Sequence, residues 1–170
     1  GSQYVDMGKR LYETSPTFAR ALDRCDAALR ERLGRSLLEV IYPSSGKDSS
    51  LNETQFTQPA LFALEYALSE LWRSWGVHSD GVLGHSVGEL GAAYASSVLS
   101  LRDTMLVAYQ RSRLQALLAG KGAMLAVGLN PDEAAGFIER FTPQVSVAAV
   151  NSSSSGTLAG DTAALETISA

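Results

Sequence analysis

One short stretch constrains this chain more than any other, the run "GVLGHSVGELGAA" at residues 81–93. At its centre Ser86 stands in a G-x-S-x-G pattern, with apolar residues before it and a helix-forming segment after it. This is the sequence form of a nucleophile elbow, in which a serine is raised on a tight turn between a strand and a helix. The pattern therefore predicts a short buried strand at Val82-Leu83, a nucleophilic Ser86 and a helix over residues 87–97.

A serine nucleophile needs a base within hydrogen-bond reach, and neither of the two histidines fits that role. His85 is adjacent to Ser86, and in a tight elbow its ring points away from the serine hydroxyl. His78 precedes the predicted strand and therefore lies at the opposite end of it. In α/β-hydrolase-type chains the base histidine follows the serine, and no histidine follows Ser86 here. Either Ser86 is not a nucleophile or its base lies beyond Ala170, and the abrupt pattern at both ends of the chain favours the second interpretation.

Helical periodicity predicts three long helices in the first part of the chain. The first opens at Ser15-Pro16, a cap followed by a first-turn proline, and ends at Gly34. The second runs from about Gln58 to Trp75. The third ends near Leu118 and begins at a capping sequence, "SLRD", over residues 100–103.

The apolar stripes of the first two helices predict which faces are buried. The first stripe comprises Phe18, Leu22, Cys25, Leu29 and Leu33, and the second comprises Leu61, Leu64, Leu68, Leu71 and Trp75. Cys25 lies on the first stripe, so we interpret it as a small core residue and not as a reactive thiol. Between these helices, residues 44–54 are polar and predict a loop.

Beyond Gly122 the pattern changes to short strands and short helices. Strands are predicted at residues 123–129, 145–150 and 156–160, with a turn between the last two at "SSSSG". Asn130-Pro131 and Asp161 are positioned to cap the two helices. The resulting order, β-α-β-β-α, is that of a ferredoxin-like split βαβ unit without its last strand.

The overall composition excludes several classes of protein. The 170 residues are 45% hydrophobic and 19% charged, as in ordinary globular proteins, and the net charge of −4 gives no electrostatic basis for binding nucleic acid or an anionic membrane. No apolar run is long enough to cross a bilayer. With one cysteine and two histidines, no metal site is expected. We therefore expect a cytoplasmic protein.

Several stretches together resemble the acyltransferase domain of modular type I polyketide synthases, which is itself similar to malonyl-CoA:acyl carrier protein transacylase. They cover almost the whole chain in order: "GSQYVDMGKRLY" (1–12), "TQPALFALEYALSELWRSWGV" (57–77), "GHSVGELGAAYASSVLSLRD" (84–103), "RSRLQ" (111–115), "GAMLAVGL" (122–129) and "VAAVNSSSSGTLAGD" (147–161). This set is far more specific than the serine pattern alone.

The resemblance assigns roles to individual positions. Ser86 would be the nucleophile that accepts the acyl group, and Val87 would supply one backbone N–H to the oxyanion hole. Arg111 would hold the free carboxylate of a malonyl-type unit, because a guanidinium can bind a carboxylate through two parallel hydrogen bonds. Gln58 would line the substrate pocket, and His85 is also expected to be a substrate-binding residue.

The resemblance also implies an α/β fold with two subdomains. Residues 1–121 would belong to an α/β-hydrolase-like large subdomain and residues 122–170 to an inserted ferredoxin-like small subdomain, both incomplete in this chain. The family's second oxyanion donor would precede the first residue, and its base histidine would lie well past Ala170. A polypeptide of only these residues is therefore expected to be inactive.

The implied activity is transfer of a malonyl unit from coenzyme A to the phosphopantetheine thiol of an acyl carrier protein, through an acyl-serine, in polyketide biosynthesis. Malonyl is the expected unit because "TQPALFALE" (57–65) and an apolar residue at Val87 accompany malonyl use in the family. The implied partners are the carrier protein and the adjacent ketosynthase and linker domains, with no bound cofactor. A serine esterase or thioesterase, to which Arg111 would be useless, and a catalytically silent docking domain remain as alternatives.

Overall fold

A computed structural model describes residues 2–44 and 50–169. The chain forms two compact units, Gly1–Leu117 and Leu118–Ala170, so the division falls slightly before the boundary expected after residue 121. The helices of the first unit are α1 (Lys9–Thr14), α2 (Pro16–Leu33), α3 (Leu37–Ile41), α4 (Thr54–Ser74), α5 (Gly88–Ala95) and α6 (Leu101–Ala116), with a 3-10 turn at Ser50–Asn52. Most of the predicted loop at 44–54 lies outside the described residues or in this turn.

Helix α2 forms where the sequence predicts it. The Ser15 hydroxyl accepts a hydrogen bond from the Phe18 N–H at 3.4 Å, and Gly34 ends the helix in the left-handed conformation that glycine adopts most readily. Four of the five predicted stripe residues are fully buried, and Leu33 packs against the same core from the edge. Cys25 is buried among them, as predicted.

Helix α4 differs from its prediction in its start and in its buried face. It begins at Thr54 and continues through Pro59, although proline favours the first turn because it lacks an N–H. Its most buried residues are mainly small or aromatic: Phe56, Gln58, Pro59, Ala60, Phe62, Ala63, Tyr66, Ala67 and Leu71. Of the predicted stripe, Leu71 is buried, and Leu61, Leu64 and Leu68 are partly buried and pack against the same core. The prediction was wrong at Trp75, which is 63% exposed. Small residues such as Ala60 and Ala63 form the central face because α4 packs against both α2 and α6.

The predicted buried strand before Ser86 is absent. Residues 81–85 have no strand pairing, Val82 is 42% exposed and Leu83 is 99% exposed. A strand needs hydrogen bonds from a neighbouring strand, and the described residues of the first unit provide none. The helix after the serine does form, as α5, and it is shorter at both ends than the predicted range of 87–97.

Helix α6 begins at the predicted cap. The Ser100 hydroxyl accepts a hydrogen bond from the Asp103 N–H at 3.2 Å and donates one to the Asp103 carboxylate at 2.7 Å. The helix ends at Ala116, slightly before the predicted Leu118. Its buried positions include Met105, Ala108 and Ser112.

The second unit contains a three-stranded antiparallel sheet. Its elements are β1 (Ala123–Val127), α7 (Pro131–Ile138), β2 (Val145–Ser152), β3 (Ser155–Gly160) and α8 (Thr162–Ser169), in the order predicted from the sequence. The strand order is β1-β3-β2, so β1 and β2 run parallel with β3 between them, which is the arrangement of a split βαβ unit.

The helices of this unit are capped as predicted and bury one face each. Asn130 and Glu133 form a reciprocal capping box, and the Asp161 carboxylate accepts a hydrogen bond from the Ala164 N–H at 3.0 Å. The fully buried apolar residues are Ala134, Ile138, Val145, Leu158 and Leu165. Among the described helices of both units, none has the length and apolar character needed to span a membrane.

Candidate active site

The backbone at Ser86 has the geometry of a tight turn that leads into a helix. Ser86 has a φ of 55°, in the left-handed region that residues with a Cβ rarely adopt. The Gly88 N–H donates to the His85 carbonyl at 3.0 Å, and the Glu89 N–H donates to the Ser86 carbonyl at 3.2 Å. Helix α5 starts at Gly88, directly after this turn. The structure thus retains the turn of a nucleophile elbow although the preceding strand is not formed.

Of the two glycines that flank the pattern, one is required by close packing. A Cβ at Gly84 would lie far inside van der Waals contact with the Gly88 carbonyl oxygen and the Glu89 nitrogen. At Gly88, by contrast, no other described atom lies within 4 Å of the place where a Cβ would sit. Close packing therefore requires glycine at Gly84 and does not require it at Gly88.

Helix α6 brings Arg111 to the serine. One terminal nitrogen of the guanidinium, Nη2, donates a hydrogen bond to Ser86 Oγ at 3.2 Å. The other, Nη1, donates to the side-chain oxygen of Gln58, Oε1. Three residues that the sequence analysis selected, one each from α4, the elbow and α6, are thus joined by hydrogen bonds.

Gln58 continues this network to a residue that the sequence analysis missed. Gln58 is 9% exposed, and its Nε2 donates to the side-chain oxygen of Gln115. Gln115 lies one helical turn after Arg111, so both side chains are on the same face of α6. The i, i+4 spacing of Arg111 and Gln115 was visible in "RSRLQ", but nothing in the sequence showed that Gln58 would lie between them.

Val87 and His85 border the serine on either side. Val87 immediately precedes α5, at the end of a helix where backbone N–H groups lack intrahelical acceptors. His85 is exposed and contributes to the lining of a cavity of about 420 Å³ between α4 and α5. The same cavity is lined by Glu65 and Tyr66 of α4.

This cavity contains a carboxyl group in an unfavourable environment. Burial raises the pKa of Glu65 above its usual range. In the described part of the chain nothing forms a hydrogen bond with its buried Oε2 or with the Tyr66 hydroxyl. A Cβ added at Gly91 would lie 2.7 Å from Glu65 Oε2, so a side chain at this position would crowd the carboxyl group.

The arrangement at Ser86 favours chemistry on an anionic acyl group. The guanidinium of Arg111 has hydrogen-bond donors and no acceptor, so it can bind a carboxylate beside the Ser86 hydroxyl. Within residues 2–44 and 50–169, no group of three or more His, Cys, Asp or Glu side chains could hold a metal ion.

Comparison with known proteins adds sequence evidence. The Acyl transferase domain family matches residues 1–170. The chain is 42% identical over 166 residues to the mycoketide-CoA synthase of Mycobacterium tuberculosis, which is 98% of this chain and 4% of that synthase. It is 47% identical over 164 residues to polyketide synthase GfsA of Streptomyces halstedii, which is 95% of this chain and 2% of the synthase. The chain thus corresponds to a small part of these relatives.

Solved structures agree with the sequence matches. The acyltransferase domain from module 8 of the salinomycin polyketide synthase superimposes with a TM-score of 0.91 at 35% identity, covering 99% of this chain and 40% of that one. The malonyl-CoA:ACP transacylase of Synechocystis sp. PCC 6803 superimposes with a TM-score of 0.80 at 32% identity, covering 99% of this chain and 54% of that one. The mixed α/β fold is therefore that of acyltransferase domains. With its whole length matched by the family, this chain belongs to the acyl transferase domain family.

Proposed function

We propose that this chain is part of a polyketide synthase acyltransferase that moves a malonyl unit from coenzyme A to the phosphopantetheine thiol of an acyl carrier protein. The observation that carries the proposal is the hydrogen bond of 3.2 Å between Arg111 Nη2 and Ser86 Oγ. In a malonyl thioester a single methylene separates the carboxylate from the thioester carbonyl. A cation adjacent to the nucleophile is therefore suitably placed to hold that carboxylate while the carbonyl is attacked.

Transfer would take place in two balanced steps. First, Ser86 Oγ attacks the thioester carbon and the serine proton goes to a base; the C–S bond then breaks and the base returns that proton to the coenzyme A sulfur, giving a malonyl-serine ester and free coenzyme A thiol. Then the phosphopantetheine thiol attacks the ester, loses its proton to the base, and Ser86 regains a proton as it leaves. The Val87 N–H would stabilise the oxyanion that forms in each step. We assign the base to the part of the domain that this chain does not contain.

Arg111 would change partners when substrate binds. In the structure its two terminal nitrogens contact Ser86 and Gln58. A malonyl carboxylate would compete for these donors, releasing the serine hydroxyl for attack. Gln58 would remain at the pocket wall as a substrate-binding residue, and we place His85 there as well. The proposed partners are an acyl carrier protein and the neighbouring ketosynthase and linker domains, and the reaction requires no bound cofactor.

The finer description of the fold is also a proposal. The TM-score of 0.91 to an acyltransferase domain and the split βαβ sheet support an α/β-hydrolase-like subdomain for residues 1–121 and an inserted ferredoxin-like subdomain for residues 122–170. The proposed extender unit is malonyl, supported by the structural similarity to the malonyl-CoA:ACP transacylase of Synechocystis and by the apolar Val87.

The experiment compares thioesters in the complete acyltransferase domain that carries these residues. Arg111→Ala should lower kcat/KM for malonyl-CoA. The loss of transition-state stabilisation should be at most about 2–5 kcal/mol, which is the cost when a desolvated charge pair loses one partner. Acetyl-CoA, which has no carboxylate, should lose far less. Arg113→Ala is the matched control, because Arg113 is an exposed arginine of the same helix that bonds to Gln110.

Four outcomes would contradict the proposal. Equal losses for both thioesters would show that Arg111 is structural. A stable acyl-enzyme in the Ser86→Ala variant, detected by intact mass, would remove the serine from its role. Release of free malonate with no transfer to carrier protein would favour the esterase alternative, and a preference for methylmalonyl-CoA in a competition assay would overturn the choice of extender unit.

A further inference from the structure

Gln58 contacts helix α6 at two points that are one turn apart. Its side-chain oxygen accepts from Arg111, and its side-chain nitrogen donates to Gln115. The direction of these bonds is constrained, because a guanidinium has donors and no acceptor, so Gln58 must present its oxygen to Arg111. Its NH₂ group then needs an acceptor on the other side, and Gln115 provides one.

The burial of Gln58 gives this acceptor its importance. Gln58 as a whole is 9% exposed while Gln115 is exposed, so an NH₂ group that loses its partner can reach water only from the side of residue 115. If residue 115 offered a donor in place of an acceptor, the Gln58 amide would be drawn into the opposite orientation. Its NH₂ would then face the Arg111 guanidinium, and two donors would oppose each other.

We propose that Gln115 is a positioning residue that fixes the orientation of the Gln58 amide and, through it, holds Arg111 beside Ser86. This inference rests on the proposed function, since its consequence is selectivity for acyl units with a free carboxylate. Among the described residues, no side-chain hydrogen bond joins Gln115 to Ser86. The effect of Gln115 on Arg111 therefore passes through Gln58. It was not among the residues that the sequence pattern selected.

A series at position 115 separates this role from simple electrostatics. Glutamate keeps an acceptor, leucine has neither donor nor acceptor, and lysine has donors only. If the direction of the hydrogen bond to Gln58 determines the position of Arg111, selectivity for malonyl-CoA decreases in the order Glu, Leu, Lys at position 115. If the charge at position 115 determines selectivity instead, the order is reversed, because lysine would attract the malonyl carboxylate and glutamate would repel it.

The experiment measures kcat/KM for malonyl-CoA divided by kcat/KM for acetyl-CoA in the complete domain. For Gln115→Leu we expect this ratio to fall about fivefold, the effect of one net hydrogen bond. Gln115→Glu should stay within about twofold of the parent, and Gln115→Lys should fall at least as far as Gln115→Leu. Gln110→Leu is the control, because its oxygen accepts from Arg113, outside the network.

A second measurement is independent of activity. The side-chain ¹⁵N–¹H NMR signals of Arg111 should be sharp and dispersed in the parent and in Gln115→Glu, and averaged in Gln115→Leu and Gln115→Lys. Unchanged signals and unchanged ratios across the series, or an order that follows charge, would overturn the role of Gln115. Failure of the parent to load malonyl on Ser86, with the Arg111 signals still responding to position 115, would contradict the proposed function and support the positioning role.

Discussion

At the scale of single residues, the backbone at Ser86 is in a conformation that favours glycine. A left-handed φ of 55° costs a residue with a Cβ about 1 kcal/mol or more. Ser86→Gly should therefore be more stable than Ser86→Ala by about 1 kcal/mol, although both lack the proposed nucleophile. Thermal unfolding of the two variants would measure this difference.

Ser97 offers a control for that prediction. It has a φ of 63° in the turn after α5, and it is exposed. Ser97→Gly should gain stability in the same way while acyl transfer is retained. If Ser97→Gly is more stable than Ser97→Ala but Ser86→Gly is not more stable than Ser86→Ala, the left-handed backbone at Ser86 does not carry the expected cost.

Gly84 and Gly88 form a matched pair for a second prediction. An alanine at Gly84 would clash with backbone atoms at the start of α5, whereas an alanine at Gly88 would meet open space. We expect Gly84→Ala to abolish acyl-serine formation by displacing the elbow, and Gly88→Ala to retain most of it. Intact mass after incubation with malonyl-CoA would measure both, and equal loss in the two variants would contradict the packing argument.

The sequence could select Ser86 because the serine pattern is local, and it could select Arg111 and Gln58 because they came with a family resemblance; their catalytic and binding roles stay predictions. Ser86, Arg111 and Gln58 were all selected before the fold was known, and hydrogen bonds join them. Gln115 was not predictable, because its role depends on how α4 packs against α6 and not on its own neighbours in the sequence.

At the scale of elements, a buried carboxylate connects α2 to the start of α3. The Asp26 side chain is 4% exposed and accepts hydrogen bonds from the Ser36 hydroxyl at 2.8 Å and the Leu37 N–H at 2.6 Å. Burial alone would raise the pKa of Asp26, but hydrogen bonds from Arg30, Ser36 and the backbone N–H groups of α3 outweigh it and hold the pKa below its usual range.

This lowered pKa predicts the pH dependence of one variant. Because the folded pKa lies below the unfolded value of about 3.9, the carboxylate contributes its stability fully above that pH and loses it as pH falls through the folded pKa. Asp26→Asn should lower the free energy of unfolding by about 2 kcal/mol at pH 7, and the difference should shrink below about pH 4. Glu31→Gln, an exposed change on the same helix, is the control. A difference that stays constant from pH 7 to pH 3.5 would contradict this assignment.

The elements that were wrongly predicted share a physical cause. The buried face of α4 is set by two neighbouring helices, so small residues such as Ala60 and Ala63 are central and the leucines flank them. The strand at Val82-Leu83 depends on backbone partners from elsewhere, which apolar character alone cannot supply. By contrast, α2 and the sheet of the second unit were predictable, because caps, turns and alternation are encoded locally.

At the scale of the whole molecule, each unit has its own apolar cluster. Cys25 belongs to the first cluster and Leu158 to the second, and both are fully buried. Burial raises the pKa of the Cys25 thiol, so the native thiol should react with alkylating reagents only when the first unit opens.

Two leucine substitutions test whether the units open separately. Leu29→Ala creates a cavity beside Cys25 in the first cluster and should accelerate its alkylation, because such changes cost about 2–5 kcal/mol. Leu158→Ala makes the same change in the second cluster and should leave the rate at Cys25 nearly unchanged. Mass spectrometry of the tryptic peptide that begins at Cys25 measures the rate. Equal acceleration by both variants would show that the chain unfolds as one cooperative body.

The left-handed backbone at Ser86 also has an evolutionary consequence. Serine codons of the AGC and AGT type become glycine codons by one nucleotide change, and glycine is the residue that this backbone accommodates best. A mutation that removes the proposed nucleophile would then leave a domain at least as well folded as its ancestor. Selection for folding stability would not remove such a mutation. Only selection on the acyl-transfer reaction itself would keep serine at this position.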